Sequence, residues 1–521
     1  MHGSRSVVSR AFGKDVDALL RHHHAVAFRG FWPLPEDVTA HLLSIVIGDL
    51  SDHVTAHAVK GMRPPIRGAA PVAPPPPAAP AIDVPGMTPA DIRDIYDIPS
   101  PWTGRDETII LLNLGARVVE DDLQKFWRSH KIDRAPELTT QIDIGRPLQA
   151  QGFVAQLEPT MGAQWAGALA PDARLCICNI NAQDVADPWS AFIAVAAAGD
   201  PGRGVRPTIA VSTWSLPERF YDARHGQEVI SGLLEQAAAV GITVIAASGD
   251  WGVYDGRPSS PREDYEVADA PWPHGVFPSV QDYVLSVGGT MITSRQPLTE
   301  LAWSGPLPPN QELRSAVPFE RLASSGGFAE DNAIPWWQLA ALVPDGKPHA
   351  YSRGLNLPAV LPSGRGYPDV ALMAQGSAVV HPDGRGLASV GYEAIVNGTR
   401  INYAGGTSVA APIWAAITAC VNQARLAGGL PRLGFANPLF YRLAQADTAP
   451  ERRPFRAVTN GSSDVELWVL DASGTPVRHV LAGFSASADH GVWNPVTGLG
   501  VPNVRNLIAA VTRTARRRRA R

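Results

Sequence analysis

The residues around position 408 have types and spacing that could activate a nucleophile. Gly405 and Gly406 permit a tight turn, and Thr407 and Ser408 then open an apolar stretch, Val409–Ala424, that predicts a helix. At such a turn a serine hydroxyl is presented outward, near backbone N–H groups that favour negative charge. The chemistry would be nucleophilic attack by the serine. The alternative is that Ser408 only caps the helix.

A serine at its ordinary pKa is a weak nucleophile and needs a neighbouring proton acceptor. No histidine lies in a setting typical of a catalytic triad. Asp250 follows the apolar stretch Thr243–Ala247, which predicts a strand, so its carboxylate lies where open sheets place their sites. Glu158 lies at the start of a predicted helix, Gly162–Ala170, with Pro159 in the first turn. As alternatives, Asp250 could accept backbone hydrogen bonds in a turn, and Glu158 could stabilise a helix N-terminus.

The elements that must position these residues alternate regularly after residue 86. Apolar runs of strand length alternate with amphipathic segments of helix length, which predicts an α/β fold with a mainly parallel sheet flanked by helices. In such a sheet, functional residues lie at the carboxyl ends of the strands. The predicted strands are Thr108–Leu114, Arg174–Asn179, Pro207–Ser212, Thr243–Ala247 and Tyr283–Val287. The predicted helices are Asp121–His130, Gly162–Ala170, Pro188–Ala198, Gln227–Ala239 and Val409–Ala424.

Composition excludes several classes of protein. The 521 residues are 45% hydrophobic and 18% charged, so the chain can bury a sizeable core. The net charge of −4 gives no indication of a nucleic-acid partner, and no apolar run reaches the roughly 18 residues of a transmembrane helix. The three cysteines lack metal-binding spacing, and Cys176 and Cys178 are interpreted as buried on one face of a strand. We expect a monomer with neither nucleic-acid nor membrane partners.

Four regions are predicted along the chain. Residues 1–60 contain two helix-like stretches, and residues 61–86 form a Pro-rich linker of polyproline type. Residues 87–513 are predicted to form the main domain, and residues 514–521 a disordered basic tail. The N-terminus has scattered charges and lacks the apolar segment of a secretory signal, which favours the cytoplasm over secretion.

Several ordered motifs resemble the sedolisin family, the serine-carboxyl peptidases, and indicate a divergent, kumamolisin-like member. The resemblance extends from about Met87 to Ile508 and includes Glu158, Asp250 and the segment around Ser408. The matching segments are Met87–Pro99, Val211–Trp214, Ala247–Asp250, Val287–Thr290, Gly366–Val370, Tyr403–Pro412 and Trp493–Gly500.

The resemblance implies a subtilisin-like fold with a mainly parallel sheet of seven strands, and endopeptidase activity on peptide or protein substrates. It implies that Ser408 is the nucleophile, Glu158 the general base and Asp250 the oxyanion stabiliser. Residues 1–60 would then be a reduced propeptide. Three further residues are expected to line the substrate cleft, although they could also form an ordinary loop turn: Gly326, Gly327 and Phe328.

The acids that accompany the base in the family are missing here. The family has E-x-x-x-D on one helix, and the position four residues after Glu158 is Gly162. Because an i,i+4 spacing puts both positions on one helix face, Glu158 has lost its carboxylate partner. A further acid of the same network corresponds to Asn113, whereas the indole of Trp214 remains.

The calcium site implied by the resemblance also lacks its acids. The corresponding positions hold Ala457 and Asn494, and an amide with backbone carbonyls makes a poor site for a hard cation. We therefore expect no tightly bound calcium and no other cofactor. A rearranged loop could still bring Asp464 or Asp489 close to this position.

These observations leave two functional hypotheses. The first is an active serine-carboxyl endopeptidase with a degraded catalytic relay, in which Glu218 or Asp184 could substitute for the missing acid. The second is a catalytically impaired pseudopeptidase that binds a peptide or a protein partner in the retained cleft. Retention of Ser408, Glu158 and Asp250 favours the first hypothesis, and the missing acids favour the second.

Overall fold

The computed structural model describes residues 85–519 apart from several internal segments. The predicted N-terminal helical segment and the predicted linker up to residue 84 therefore lie outside the described residues, as does Asp489. The internal segments outside the description are 150–151, 201–204, 219–220, 222–225, 255–274, 308–318, 343–348, 350–361, 363, 377, 381–386, 447, 471–475 and 488–490.

The described residues form strands β1–β22 and helices α1–α9. The strands, in chain order, are Thr108–Asn113, Thr139–Ile144, Arg174–Ile180, Ile209–Ser212, Leu216–Pro217, Thr243–Ala247, Val276–Phe277, Val284–Arg295, Leu298–Ala302, Ser304–Pro306, Phe319–Ala323, Gly327–Phe328, Gly366–Tyr367, Val370–Gln375, Ala378–Val380, Leu387–Ser389, Tyr392–Val396, Thr399–Ala404, Phe455–Arg456, Val465–Leu470, Pro476–Leu481 and Val501–Pro502. The helices are Pro89–Ile95, Glu120–Ser129, Phe153–Leu169, Pro188–Ala198, Gly226–Ala239, Leu339–Leu342, Thr407–Ala427, Asn437–Gln445 and Val504–Arg519.

A parallel sheet forms the centre of the molecule. Its strands lie in the order β14-β8-β6-β4-β1-β3-β2, and each neighbouring pair is parallel. Strand β9 adds an antiparallel partner to β8. The predicted α/β fold with seven mainly parallel strands is therefore confirmed.

Helices cover both faces of this sheet. On β1, Ile109 and Leu111 pack on the side that holds α3 and α7, whereas Ile110 and Leu112 pack on the side that holds α4 and α5. Successive side chains of a strand point to opposite faces, so a strand covered on both sides reads as a continuous apolar run. Residues Cys176 and Cys178 of β3 share one face and are buried cysteines that form no disulfide.

Helix α3 carries Glu158 and differs from the predicted helix. It begins at Phe153, so Glu158 lies in its second turn and Pro159 lies inside the helix. A proline cannot donate the helical hydrogen bond to the carbonyl four residues earlier. That carbonyl, of Ala155, instead accepts a hydrogen bond of 3.0 Å from the backbone N–H of Ala116. The loop after β1 therefore compensates for the proline and allows the helix to continue.

Helix α9 also corrects an expectation. Its backbone continues to Arg519, so residues 514–519 are helical, and the prediction of a disordered tail is wrong for them. Alanine and arginine are strong helix formers, which lets a helix begun on apolar residues extend into a basic segment. Within the described parts of the chain, no helix combines the length and the apolar character needed to cross a bilayer.

A buried ion pair lies in the segment before β14, beside the neighbouring strand β8. The Nη2 atom of Arg365 lies 2.7 Å from Oδ2 of Asp369, and both side chains are fully enclosed. Asp369 also accepts hydrogen bonds from the backbone N–H of Ser286 at 2.7 Å and from Asn437 and Tyr441 at 3.0 Å each. Burial raises the pKa of Asp369, while the charge of Arg365 and these donors oppose that rise. A charge buried this deeply depends on its partners.

We predict that Arg365→Met lowers the free energy of unfolding by about 3–5 kcal/mol, because it leaves the Asp369 carboxylate buried without its counter-charge. Urea unfolding followed by circular dichroism measures this change. The matched control is Arg505→Met, which removes an exposed ion pair with Asp97 at 2.8 Å and should leave the unfolding midpoint almost unchanged. Equal, small effects of the two substitutions would contradict the role given to the buried pair.

Candidate active site

A glycine turn places Ser408 in the first turn of α7. The helix begins at Thr407, and Gly406 precedes it with φ at 83°, a left-handed conformation that favours glycine. A Cβ atom at position 406 would also lie 2.4 Å from Oδ2 of Asp250. The turn therefore requires glycine for two reasons: its backbone conformation and the close approach of a carboxyl group. Ser408 itself is 9% exposed, so its hydroxyl lies in a largely enclosed position.

Asp250 approaches this turn from the carboxyl end of β6. Its Oδ1 atom accepts a hydrogen bond of 2.9 Å from the backbone N–H of Thr407 and one of 2.8 Å from the Thr407 hydroxyl. Burial raises the pKa of Asp250, and the two bonds from Thr407 act in the opposite direction because they favour the charged form. The Asp250 carboxyl is thus held against Thr407, the residue that precedes Ser408 in α7.

Glu158 meets Ser408 from helix α3. Burial raises the pKa of Glu158 to about 7, and the negative charge of Asp250 also raises it. The neighbouring hydroxyls of Ser408 and Thr213 act in the opposite direction, because polar groups beside the carboxylate favour its charged form. The Oε1 atom is buried and has no hydrogen-bond partner among the described residues. A carboxyl group with a pKa near neutrality, beside a serine hydroxyl, is suited to accept a proton.

The space above Gly162 is apolar. A Cβ atom at this position would lie 3.3 Å from Cγ of Pro412 and 3.7 Å from Cδ2 of Leu111. The proline ring of α7 and the β1 side chain therefore occupy the surroundings of the position where the family pattern has an acid. Without a second carboxyl here, the described interactions of Glu158 are those with Ser408, Thr213 and Asp250.

Asn113 forms hydrogen bonds with its own loop and with Asn179 of the neighbouring strand β3. Its Nδ2 group donates hydrogen bonds of 2.8 Å to the carbonyl of Ala116 and to Oδ1 of Asn179, and its Oδ1 accepts one of 2.9 Å from the Gly115 N–H. The indole N–H of Trp214 is buried and has no hydrogen-bond partner among the described residues. The indole that the resemblance assigns to the network is therefore not joined by a hydrogen bond to Asn113.

The two proposed substitute acids lie in other interactions, so this part of the first hypothesis is wrong. Glu218 accepts hydrogen bonds of 2.8 Å and 3.1 Å from the backbone N–H groups of Glu330 and Asp331. Asp184 forms an ion pair of 2.6 Å with the exposed side chain of Arg146. Both carboxylates satisfy nearby donors, and neither is among the groups that influence Glu158. Being placed after β3 and β4 did not bring these side chains near Glu158.

The predicted cleft residues lie next to the Asp250 loop. The backbone N–H of Ser325 donates a 2.9 Å hydrogen bond to the carbonyl of Gly249, and the Ser248 hydroxyl donates one of 2.7 Å to the Ser325 carbonyl. Gly326 and Gly327 follow. A Cβ atom on Gly326 would lie 2.0 Å from the Pro495 carbonyl oxygen, and Gly327 has φ at 144°. The Phe328 ring packs against Phe484 and Trp493.

At the position where the resemblance implies a calcium site, the described residues bond to one another. Asn494 and Thr497 direct donors at the Val458 carbonyl, with distances of 3.2 Å from Nδ2 and 3.1 Å from Oγ1. Oδ1 of Asn494 accepts the backbone N–H groups of Val496 and Thr497. Ala457 carries no ligand atom in its side chain. Asp464, the acid that a rearranged loop could have supplied, accepts the Gly483 N–H at 2.8 Å. Across the described ranges, no group of three or more His, Cys, Asp or Glu side chains could hold a metal ion.

Two threonines of the site were missed by reasoning from the sequence. Thr213 directly follows β4 and its hydroxyl interacts with Glu158. Thr407 binds Asp250 through both its backbone and its side chain. The available signal was their position: each one adjoins a motif residue at a strand end or a helix start, where side chains of a parallel sheet converge.

Comparisons with known proteins agree with the fold. No family model matches the sequence. The chain is 28% identical to kumamolisin of Bacillus sp. (strain MN-32) over 440 residues, which cover 82% of this chain and 64% of kumamolisin. It is 26% identical to physarolisin of Physarum polycephalum over 453 residues, which cover 82% of this chain and 68% of physarolisin.

A solved structure shares the fold. Pseudomonas sedolisin, a serine-carboxyl proteinase, superposes with a TM-score of 0.58 at 20% identity, covering 82% of this chain and 99% of sedolisin. The class is thus a subtilisin-like α/β protein with a serine and carboxyl groups at one end of the sheet. These similarities agree with the resemblance to the sedolisin family. The chain spans about two thirds of the length of the two curated relatives.

The raised pKa of Glu158 predicts a pH-dependent stability. The folded state holds the Glu158 proton more tightly than the unfolded chain, so its stabilising contribution is complete below about pH 4.5 and is lost as the pH rises through about 7. Relative to Glu158→Gln, the wild type should lose up to about 3 kcal/mol of unfolding free energy over this interval.

Urea unfolding at several pH values measures this difference. The exposed Glu451 provides the matched control, since Glu451→Gln should leave the pH dependence of unfolding unchanged. A constant difference between wild type and Glu158→Gln from pH 4 to pH 8 would show that Glu158 is an ordinary solvated carboxyl.

Proposed function

We propose that this protein is a serine-carboxyl endopeptidase that uses Ser408 as nucleophile, Glu158 as general base and Asp250 as oxyanion stabiliser. The observation that carries the proposal is that Ser408, Glu158 and Asp250 converge at the start of α7, where Asp250 binds Thr407 and burial raises the pKa of Glu158 to about 7. The relatives support it by name, because kumamolisin and physarolisin match over most of the chain and sedolisin is a serine-carboxyl proteinase. Peptides or unfolded proteins are the proposed substrates.

In the proposed mechanism, Glu158 first removes the proton of the Ser408 hydroxyl as Oγ attacks the carbonyl carbon of the scissile bond. The carbonyl oxygen gains negative charge, and protonated Asp250 donates a hydrogen bond to it. When the tetrahedral intermediate collapses, the peptide C–N bond breaks and Glu158 returns its proton to the leaving amine. A water molecule then hydrolyses the acyl-enzyme by the same sequence, with Glu158 again as base.

The active form needs Glu158 ionised and Asp250 protonated. Burial raises the pKa of both groups, which helps Asp250 to keep its proton but delays the ionisation of Glu158 until about pH 7. Because the two carboxyls influence each other, the limits of activity belong to the pair rather than to either residue alone. We infer that one limb of the pH profile has its midpoint near 7.

A second candidate function is that of a pseudopeptidase, which binds a peptide or a protein partner in the cleft without cleaving it. The apolar surroundings of Gly162 favour this candidate, since Pro412 and Leu111 stand where an orienting acid would have to fit. Residues that act as one catalytic unit lose activity steeply when a member is missing. Measured hydrolysis decides between the two candidates.

We also propose that the family calcium site is replaced by a hydrogen-bonded turn. Asn494 and Thr497 supply donors to the Val458 carbonyl, so a neutral network occupies the position where anionic ligands would hold a cation. Donor groups that point at a carbonyl compete with a cation for its lone pairs. The turn would then stabilise this region without metal.

Three predictions test the proposed function, and the first concerns activity. The purified protein should cleave denatured substrate between about pH 3 and 8, with a midpoint of kcat/KM near pH 7, and Ser408→Ala and Glu158→Gln should each lower kcat by at least about a thousandfold. Fluorogenic peptide hydrolysis measures these rates. Wild-type rates that match those of Ser408→Ala at every pH would exclude the peptidase and leave the pseudopeptidase.

The second prediction concerns the missing acid. Gly162→Asp should exceed Gly162→Ala in kcat/KM by about tenfold at pH 5, because a protonated carboxyl donating to Glu158 would favour its ionised form. The alanine variant is the control for crowding, since both substitutions place a Cβ atom 3.3 Å from Pro412. Equal rates for the two variants would mean that the orienting acid does not limit this enzyme.

The third prediction concerns calcium. Adding millimolar calcium or a chelator should change the melting temperature by less than about 1 °C, because the turn at Asn494 offers no anionic ligands to a cation. Differential scanning fluorimetry measures the shift, and magnesium controls for ionic strength. A rise of several degrees that calcium produces and magnesium does not would contradict the proposal.

A further inference from the structure

Thr407 donates two hydrogen bonds to one oxygen of the Asp250 carboxyl, Oδ1. The backbone N–H and the hydroxyl of Thr407 both reach Oδ1, at 2.9 Å and 2.8 Å. The Thr407 hydroxyl also accepts a hydrogen bond of 3.1 Å from the backbone N–H of Gly249. Since an amide can only donate, the hydroxyl proton is directed away from Gly249 and towards Oδ1. Oδ1 therefore acts as an acceptor of two donors.

The other oxygen of Asp250 has a different environment. Oδ2 lies over Gly406, where a Cβ atom would come within 2.4 Å, and it faces the turn that leads to Ser408. A neutral carboxyl has one O–H group and one acceptor oxygen. With Oδ1 engaged as the acceptor, the proton has one position left, on Oδ2.

We infer that Thr407 is a positioning residue that holds the proton of Asp250 on Oδ2, the oxygen next to the Ser408 turn. This inference rests on the proposed function, since it explains how Asp250 is prepared to donate to the oxyanion. Thr407 does not touch the reacting atoms. It acts through Asp250, in the way that outer partners orient a catalytic group.

Among the described residues, few charged groups surround Asp250. Glu158 on α3 is the titratable group that the charge of Asp250 influences. The segment 323–325, which packs against the Asp250 loop, and the residues that begin α7 have uncharged side chains. The hydrogen bonds from Thr407 favour ionised Asp250, so removal of the hydroxyl raises the pKa of Asp250.

The experiment compares Thr407→Val, which keeps the shape and removes the hydroxyl, with Thr407→Ser, which keeps the hydroxyl. For Thr407→Val we expect kcat to fall about 10- to 100-fold with KM nearly unchanged, and the pH profile set by the Glu158–Asp250 pair to shift to higher pH. Thr407→Ser should remain within about threefold of wild type and keep its pH profile. If Thr407→Val does not fold, Thr407→Ala removes the same hydroxyl.

A pH profile of Thr407→Val that superimposes on that of wild type, or equal damage in Thr407→Ser, would overturn the inference. Failure of the proposed function has a different signature: wild type and Ser408→Ala would then be equally inactive. In that case the melting temperature decides. The difference in melting temperature between wild type and Thr407→Val must grow as the pH rises from about 3 to 6. The same difference measured with Asp250→Asn in both proteins must not depend on pH. A difference that does not vary with pH would overturn the inference.

Discussion

The burial of the Glu158 carboxyl beside the Ser408 hydroxyl is the constraint on which the rest of the site depends. Removing a carboxylate from water disfavours its charged form, and this cost raises the pKa of Glu158 to about 7. A base with such a pKa can take a proton from serine without a histidine. The fold creates this situation by crossing α3 over the first turn of α7, with Gly162 at the contact with Pro412.

Several local features serve this contact. Pro159 inside α3 is accommodated because Ala116 binds the carbonyl that the proline leaves without a partner. Gly406 allows Asp250 to approach the same turn, and Thr407 anchors one of its oxygens. The absence of an acid at position 162 affects the ionisation of Glu158. Burial then acts on Glu158 with fewer opposing donors, which moves its ionisation towards neutral pH rather than towards acidic conditions.

The fold could be predicted from the sequence to a large extent, because parallel strands covered on both faces read as apolar runs of strand length. The strand Thr243–Ala247 and the helix Pro188–Ala198 have the predicted bounds. The start of α3 could not be predicted, since the compensation for Pro159 comes from a loop about 40 residues away in the chain. Ser408, Glu158 and Asp250 were found through motifs, whereas Thr213 and Thr407 depend on distances that only the structure shows.

The loops after the strands explain the remaining errors. Glu218 and Asp184 both follow strands of the sheet or its edge, which made them candidates for the relay. In the structure each binds donors closer to its own loop, so proximity to a strand end did not translate into proximity to Glu158. The direction in which a loop leaves a strand is set by tertiary hydrogen bonds rather than by its own sequence.

The most direct test of the account is the rate at which a serine-directed phosphonate probe labels Ser408 as a function of pH, measured by mass spectrometry of the labelled peptide. The account predicts labelling at Ser408 with a midpoint near pH 7, and a loss of at least about a hundredfold in Glu158→Gln. Labelling that is independent of Glu158, or that fails at Ser408 while the protein remains folded, would contradict it.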